Sequence, residues 1–317
     1  MAVLVTGGSG FVGKWVIQLL AEEQTVVNLD TQIICPEEKN VVSLKADLTD
    51  LVRLTEITKE VEEPIESIIH LAAASRLPSF LDNPYGNVKL NVWGTVNVLE
   101  LSRRLGVRRV VYASSGAVYG ARFDIPGEDA PLSPTELYGA TKACGELLGM
   151  RYADHFGFEF IAVRLFMVYG PGLIPSKSGE PFRALFGPLE GKTEVKLGAG
   201  SDQKFEFTYV ADAARGIMCA LKSQELRHHL YNISSEIGYY PSQVVEIVRK
   251  YAPVPFAVDL SPGVLLPRPP TLDISLAQAE LGYHPAYDLD RGIREYAEWL
   301  QSQNTNKEAR RDEKEHH

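Results

Sequence analysis

Cysteine is scarce in this chain: Cys35, Cys144 and Cys219 lie far apart and include no C-x-x-C pair. A disulfide framework and a cysteine zinc site are therefore not expected, and a reducing, cytoplasmic setting fits. Basic residues are outnumbered, 32 Lys and Arg against 41 Asp and Glu, which leaves a formal net charge of -9. Nucleic acid and anionic membranes both attract a surplus of Lys and Arg, so neither is an expected partner. Long apolar runs are missing too; none approaches the roughly 18 residues of a transmembrane span. The start, Met1-Ala2-Val3-Leu4-Val5, already has strand character and reads as no signal peptide. His228 and His229 are adjacent, so they point apart on any regular element, and no carboxylate cluster accompanies them; no metal is expected.

What is present is an alternation of strand-like and helix-like stretches. Apolar runs of strand length stand at residues 2–6, 25–29, 41–45, 67–71, 107–113 and 158–165, with helix-period segments at 11–22, 51–61, 88–105 and 134–156. Strands apolar on both faces, alternating with helices, predict an α/β fold with a doubly wound parallel sheet of Rossmann type. After Tyr169 the texture changes: residues 170–180 read as a loop, 209–221, 242–251 and 289–300 as helices, and 254–266 as Pro-broken. The expected organisation is a nucleotide-binding domain over residues 1–170 and a smaller α/β substrate lobe over 171–300, interleaved with the sheet. Residues 301–317, polar and without aromatics, are expected to be disordered.

The first strand runs into Thr6-Gly7-Gly8-Ser9-Gly10-Phe11-Val12-Gly13, which satisfies G-x-x-G-x-x-G and G-x-G-x-x-G together. Glycines let a backbone approach a pyrophosphate closely, and the helix N-terminus behind them offers free N–H groups and a favourable dipole. Asp30 follows Gly10 by twenty residues at a strand end, where a carboxylate accepts from both hydroxyls of an adenosine ribose and repels an extra phosphate. NAD is therefore expected in preference to NADP.

Two Tyr-x-x-x-Lys pairs occur. Tyr85 and Lys89 lie in a Gly- and Pro-interrupted stretch and are set aside as a chance match. Tyr138 and Lys142 sit early in a strong helix, where i and i+4 share a face. Ser115 ends the strand before them. Oxidising an alcohol by hydride transfer requires removal of its hydroxyl proton, and a tyrosine beside an ammonium is made a usable base. The serine holds the substrate oxygen.

These residues recur with Ala46-Asp47-Leu48-Thr49, His70-Leu71-Ala72-Ala73, Asn91-Val92-Trp93-Gly94-Thr95-Val96-Asn97, Ser114-Ser115 and the stretch from Arg164 to Pro171. Over residues 2–300 the chain resembles the extended short-chain dehydrogenase/reductase family, the NAD-dependent epimerase/dehydratase group to which UDP-glucose 4-epimerases belong. The resemblance implies a catalytic set of Ser115, Tyr138 and Lys142, with Lys142 also at the nicotinamide ribose. It implies a cofactor site of Gly7, Gly10, Phe11, Val12, Gly13, Asp30, Asp47, Leu48, Leu71, Ala72, Ala73 and Asn91, with Asp47 and Leu48 near the adenine. It also implies a homodimer built on the helices at 88–105 and 134–156. Ser75, Arg76, Ser114, Met167 and Arg183 are the candidate contacts of a small-molecule substrate, and Arg76 is a candidate partner for a substrate carboxylate. His70 reads as a hydrogen-bonded structural histidine.

Departures from the family pattern narrow the reaction. Gly116-Ala117 stand where dehydratases carry Asp-Glu, and the Glu of decarboxylating relatives is missing as well, so neither reaction is expected. Met167 replaces an Asn, Phe205 stands where an Arg is usual with Lys204 beside it, and residues 260–264 lack a second phosphate-binding Arg. Lys177, Arg183 and Arg268 are the residues able to compensate. Residues 137–149 and 287–291 echo the branch that oxidises small substrates such as threonine. The balance favours net dehydrogenation of a sugar, sugar acid or small hydroxy compound. A UDP-hexose 4-epimerase is the alternative, and a non-catalytic NAD-binding sensor a second one.

Overall fold

Ala2–Thr6 form strand β1, buried along its whole length. Six more strands join it: β2 (Thr25–Asp30), β3 (Val41–Lys45), β4 (Ile65–His70), β5 (Arg109–Ser115), β6 (Glu159–Leu165) and β7 (Leu230–Ile233). Their order is β7-β6-β5-β4-β1-β2-β3, and every pairing is parallel. This is the doubly wound arrangement, with its switch point between β1 and β4, where ligands bind beyond the carboxyl strand ends. The computed structural model describes residues 1–34, 39–75, 77–178, 181–224 and 226–315. Arg76 lies outside the described residues, and with it the expectation that it meets a substrate carboxylate.

Side chains alternate across each strand and divide the sheet's apolar residues between two cores. Val3 and Val5 of β1, Val111 of β5 and Ile161 and Val163 of β6 pack on one face. That face is covered by α1 (Phe11–Ala21) and α5 (Val210–Lys222), through Val16, Ile17 and Leu20 of the first and Ala214 and Ile217 of the second. Ala2, Leu4, Val110, Tyr112 and Phe160 point the other way. There they meet Leu54 and Ile57 of α2 (Leu51–Ile57), Val98, Leu99 and Leu101 of α3 (Gly94–Leu105), and part of α4 (Leu137–Phe156).

A third core builds the C-terminal lobe. Phe182, Leu185, Phe186 and Leu189 of the 3-10 helix Pro181–Glu190 pack against Val244, Val245 and Val248 of α6 (Pro241–Tyr251). Ile293, Tyr296, Ala297 and Leu300 of α7 (Leu289–Glu315) complete it. Tyr169 stacks on Phe186 with ring centroids 5.3 Å apart, so the segment leaving β6 is fixed to this lobe. Truncating Phe186 to Ala would cost on the order of 3–5 kcal/mol, as for other buried aromatics. Among the described residues no helix is long and apolar enough to cross a membrane.

Several elements differ from the sequence expectation. A seventh strand that the periodicity did not show, β7, pairs with β6. The loop at 170–180 contains a short helix, Pro175–Ser178, and the Pro-broken stretch contains a strand, Ala257–Leu260, parallel to Glu194–Leu197. The helix expected at 134–156 begins only at Leu137. Pro131 and Pro134 have no N–H to give, Ser133 donates to Val118 O at 2.9 Å, and Glu136 is extended at the N-cap. The segment expected to be disordered after residue 300 is helical through Glu315. It holds no Gly or Pro and is rich in Gln, Lys, Glu and Arg, all good helix formers.

Candidate active site

The turn between β1 and α1 forms one end of a cleft of about 710 Å³. Gly7 takes φ 73°, and a Cβ there would lie 2.6 Å from the backbone N of Ala72, so only glycine lets β1 and the segment after β4 approach this closely. Gly13 is needed for a different contact: its Cβ would collide with Gly7 O and press α1 off the turn. Gly10, Phe11, Val12 and Gly13 line the cleft. The first N–H groups of α1 have no carbonyl one turn back to donate to, and no acidic side chain occupies the first turn, so an anion is favoured there. Asp30 ends β2 on the same wall, its carboxylate accepting from Ser9 N and Gln32 N at 3.2 Å each.

Ala46, Leu48, Leu71, Ala72 and Ala73 continue the wall. Asp47 does not join them. It is exposed and absent from the cleft lining, and its carboxylate accepts from Thr49 N at 2.8 Å, capping the turn before α2. Asn91 is likewise behind the wall. It is buried in a π-turn, Lys89–Trp93, where it accepts from Ala74 N at 2.8 Å and donates to Ala74 O at 2.9 Å and Thr141 Oγ1 at 3.0 Å. Asn91 thus joins the strand-four loop to α4 and positions both, instead of facing the cleft. His70 is buried between Thr6 Oγ1 at 2.7 Å and Thr95 Oγ1 at 2.9 Å. Burial, and then the charge of Lys142, push its pKa down to about 3, so its ring stays neutral and structural.

Ser115, Tyr138 and Lys142 all line the cleft. Ser115 stands at the extended end of β5, its Oγ accepting from Ala117 N at 3.2 Å. Tyr138 lies in the first turn of α4 with its ring edge-on to Phe80, 6.1 Å between centroids. Lys142, one turn on, is buried and donates to Ala113 O at 2.7 Å; its Nζ lies 5.9 Å from the Tyr138 ring centroid. Burial pulls the Lys142 pKa down to about 7, against the opposing pull of the Glu146 carboxylate. An ammonium at this distance favours the phenolate, the ionisation that removal of a hydroxyl proton requires.

The remaining wall comes from β6 and the C-terminal lobe: Leu165, Phe166, Met167, Val168, Leu173, Ile174, Lys177, Pro181, Arg183, Leu266 and Arg268. Met167 is buried with φ 43°, a left-handed conformation in which a Met side chain is costly and Asn would be less so. Arg183 is nearly buried and donates to Val168 O at 3.1 Å. Ser75 and Ser114 both line the cleft, the hydroxyl of Ser114 being committed to Glu146 at 2.5 Å. Glu136, which sequence reasoning missed, also lines the cleft and pairs with Arg268 at 3.2 Å. Its place two residues before Tyr138 was the available signal.

The residues fit a dinucleotide along the cleft, with the pyrophosphate at the bare Gly10 turn, Asp30 at one end and the Ser115, Tyr138 and Lys142 group at the other. The chain matches a family model described as NAD dependent epimerase/dehydratase family over residues 3–234. It is 31% identical over 339 residues to UDP-glucuronate 4-epimerase 5 of Arabidopsis thaliana, covering 94% of this chain and 75% of that protein. Among solved structures it is similar to the UDP-glucose 4-epimerase of Thermus thermophilus in complex with NAD, with TM-score 0.82 and 27% identity over 95% of this chain and 99% of that one. It is also similar to MoeE5 in complex with UDP-glucuronic acid and NAD, with TM-score 0.83 and 28% identity over 96% and 100% of the two chains. The chain belongs to the NAD-dependent epimerase/dehydratase family, of the extended short-chain dehydrogenase/reductase type, whose cofactor is NAD.

Proposed function

We propose that this protein interconverts the C4 epimers of a UDP-linked hexose or hexuronic acid, with NAD retained through the cycle. The observation that carries this reading is the lining of the cleft, which brings three cations, Lys177, Arg183 and Arg268, together with apolar side chains, Arg268 being paired with Glu136 at 3.2 Å. Net dehydrogenation was favoured in the sequence because basic anchors for a diphosphate were missing or displaced. With these cations at the cleft a diphosphate has counter-charges, and the relatives quoted above carry the names of nucleotide-sugar 4-epimerases or hold UDP-glucuronic acid. The epimerase alternative therefore replaces the dehydrogenase as the preferred reading. A non-catalytic sensor would have no use for a buried lysine beside a cleft tyrosine.

In this reading Tyr138 takes the proton of the C4 hydroxyl, Ser115 holds the same oxygen, and Lys142 stabilises the phenolate. When bound, NAD would supply the hydride acceptor and donor for C4. Returning the proton from Tyr138 closes the cycle without net consumption. Between the two transfers the sugar ring must present its other face while the nucleotide stays clamped. The side chains of Leu165, Phe166 and Met167 carry no strong donor or acceptor that a turning ring would have to exchange. Lys177 and Arg268 supply charge to the diphosphate. Lys177→Gln and Arg268→Gln are each expected to weaken UDP binding about tenfold while leaving NAD binding intact, measured by titration calorimetry.

Asp30 serves as the ribose acceptor in this scheme. Asp30→Asn is expected to lose about tenfold in NAD affinity and to narrow the preference over NADP, since a charge-assisted bond and a repulsion disappear together. Thermal stabilisation of the purified variants by each nucleotide measures both effects. A homodimer through α3 and α4 remains part of the proposal, supported by the exposed apolar side chains of Trp93, Leu147 and Phe156. To test the proposal, the protein is incubated with NAD and a panel of UDP-hexoses, UDP-hexuronic acids, free sugars and amino alcohols. An epimer formed from a UDP-sugar without accumulating NADH is expected. NADH accumulating from a free sugar or amino alcohol would contradict it.

A further inference from the structure

Helix α4 carries a third polar residue on the face of Tyr138 and Lys142. Glu146 follows Lys142 by four residues, so the three stand one turn apart along one side of the helix. Glu146 is wholly buried. Arg164 of β6 grips it with two bonds, Nε to Oε1 at 2.9 Å and Nη2 to Oε2 at 2.8 Å, and Ser114 of β5 donates to Oε1 at 2.5 Å. Ser114 and Arg164 are register partners on adjacent strands, so the carboxylate ties β5, β6 and α4 together directly behind Ser115. Arg164 is held in turn by Tyr119 OH at 2.8 Å and Glu128 O at 3.0 Å, and Tyr119 donates to Asn232 Oδ1 of β7 at 2.7 Å.

We propose that Glu146 is a positioning residue of the reaction, which keeps the ammonium of Lys142 charged and in place beneath Tyr138. A buried ion pair is weak evidence for stability, because desolvating both charges offsets their attraction, so its presence here calls for another reason. The neighbours of Lys142 supply one. Tyr138 and Glu146 face it from α4, Tyr112 of β5 lies under its Nζ at 4.8 Å, and His70 of β4 is held neutral nearby. Ala113 O gives the ammonium a hydrogen bond but no full charge. Burial works against the ammonium, and of these groups the Glu146 carboxylate is the one that favours it. Arg164 orients that carboxylate, since a planar fork fixes both oxygens.

The proposal builds on the roles given to Tyr138 and Lys142, not on which sugar is turned over. Its test follows the ionisation of Lys142 in the NAD-loaded protein by NMR of isotopically labelled lysine, with the signal assigned through its loss in Lys142→Met. In Glu146→Gln the acid dissociation constant of Lys142 is expected to rise tenfold or more. The alkaline fall of kcat should move to lower pH with it, while NAD affinity stays unchanged. Glu146→Asp, which keeps the charge, is expected to restore most of both. If Glu146→Gln does not fold, Glu146→Leu/Arg164→Met takes its place, because apolar replacement of a buried pair is well tolerated, and the same direction of shift is expected. A Lys142 titration that stays at the wild-type midpoint in the folded variant would overturn the proposal. Failure of every UDP-sugar to react would overturn the function proposed above and leave the lysine titration to decide this one.

Discussion

Replacing Tyr138 with Phe is expected to lower turnover about 10³-fold, within the range by which a positioned acid–base group accelerates proton transfer. The phenyl ring keeps the edge-on contact with Phe80 and fills the same space, so the fold and the nucleotide site should survive. NAD should raise the melting temperature of the variant as much as that of the parent. Loss of rate with NAD binding retained is therefore the expected pair of results, read by epimer formation and by thermal melting. Turnover within a few-fold of the parent would remove Tyr138 from the reaction and return the role to another group in the cleft.

Lys142→Met is expected to abolish measurable turnover and, at the same time, to make the NAD-free protein more stable. The sign follows from burial. The pKa of Lys142 is about 7 in the folded chain against 10.5 for the free side chain, so between these values the unfolded chain binds more protons than the folded one. Stability referable to this group therefore rises as pH climbs from about 7 to 10.5, and the cost of burying the ammonium is fully present below pH 7. Methionine fills a similar volume with nothing to desolvate. A rise of about 3 °C or more in Tm at pH 7 is expected, shrinking as the pH approaches 10. A variant that melts below the parent at pH 7 would mean that the Ala113 carbonyl bond and the Glu146 charge outweigh desolvation.

The parts legible in the sequence were those where chemistry restricts residue type sharply. The Gly7, Gly10 and Gly13 turn was legible because backbone approaches there leave no room for a Cβ, and Tyr138, Lys142 and Ser115 were placed at one cleft by helical and strand spacing. Residues whose function depends on where the side chain points were not legible. Asp47 and Asn91 belong to recognisable motifs, yet one caps a turn and the other joins Ala74 to Thr141, because local hydrogen bonds decide their direction. Strand β7 escaped notice because four residues carry little periodicity and their partner strand lies about seventy residues earlier. Glu146 is different: its spacing from Lys142 was visible, but only Arg164 and Ser114, brought together by the sheet, give that spacing a meaning.

The cations also changed what the sequence seemed to exclude. Missing arginines at the usual positions pointed away from a diphosphate, although Lys177, Arg183 and Arg268 reach the cleft from other segments. Charge can be supplied to one point in space from several places in the chain, as these three residues from separate segments show.

In the proposed reaction hydride leaves C4 of a UDP-sugar and returns to the same carbon while the nucleotide stays bound. It is tested most directly with UDP-glucose and UDP-glucuronic acid carrying deuterium at C4, incubated with the NAD-loaded protein and followed by NMR. One of them is expected to give its C4 epimer with the deuterium still at C4 and without accumulation of NADH. Deuterium lost to solvent, or a keto sugar released together with reduced cofactor, would contradict it.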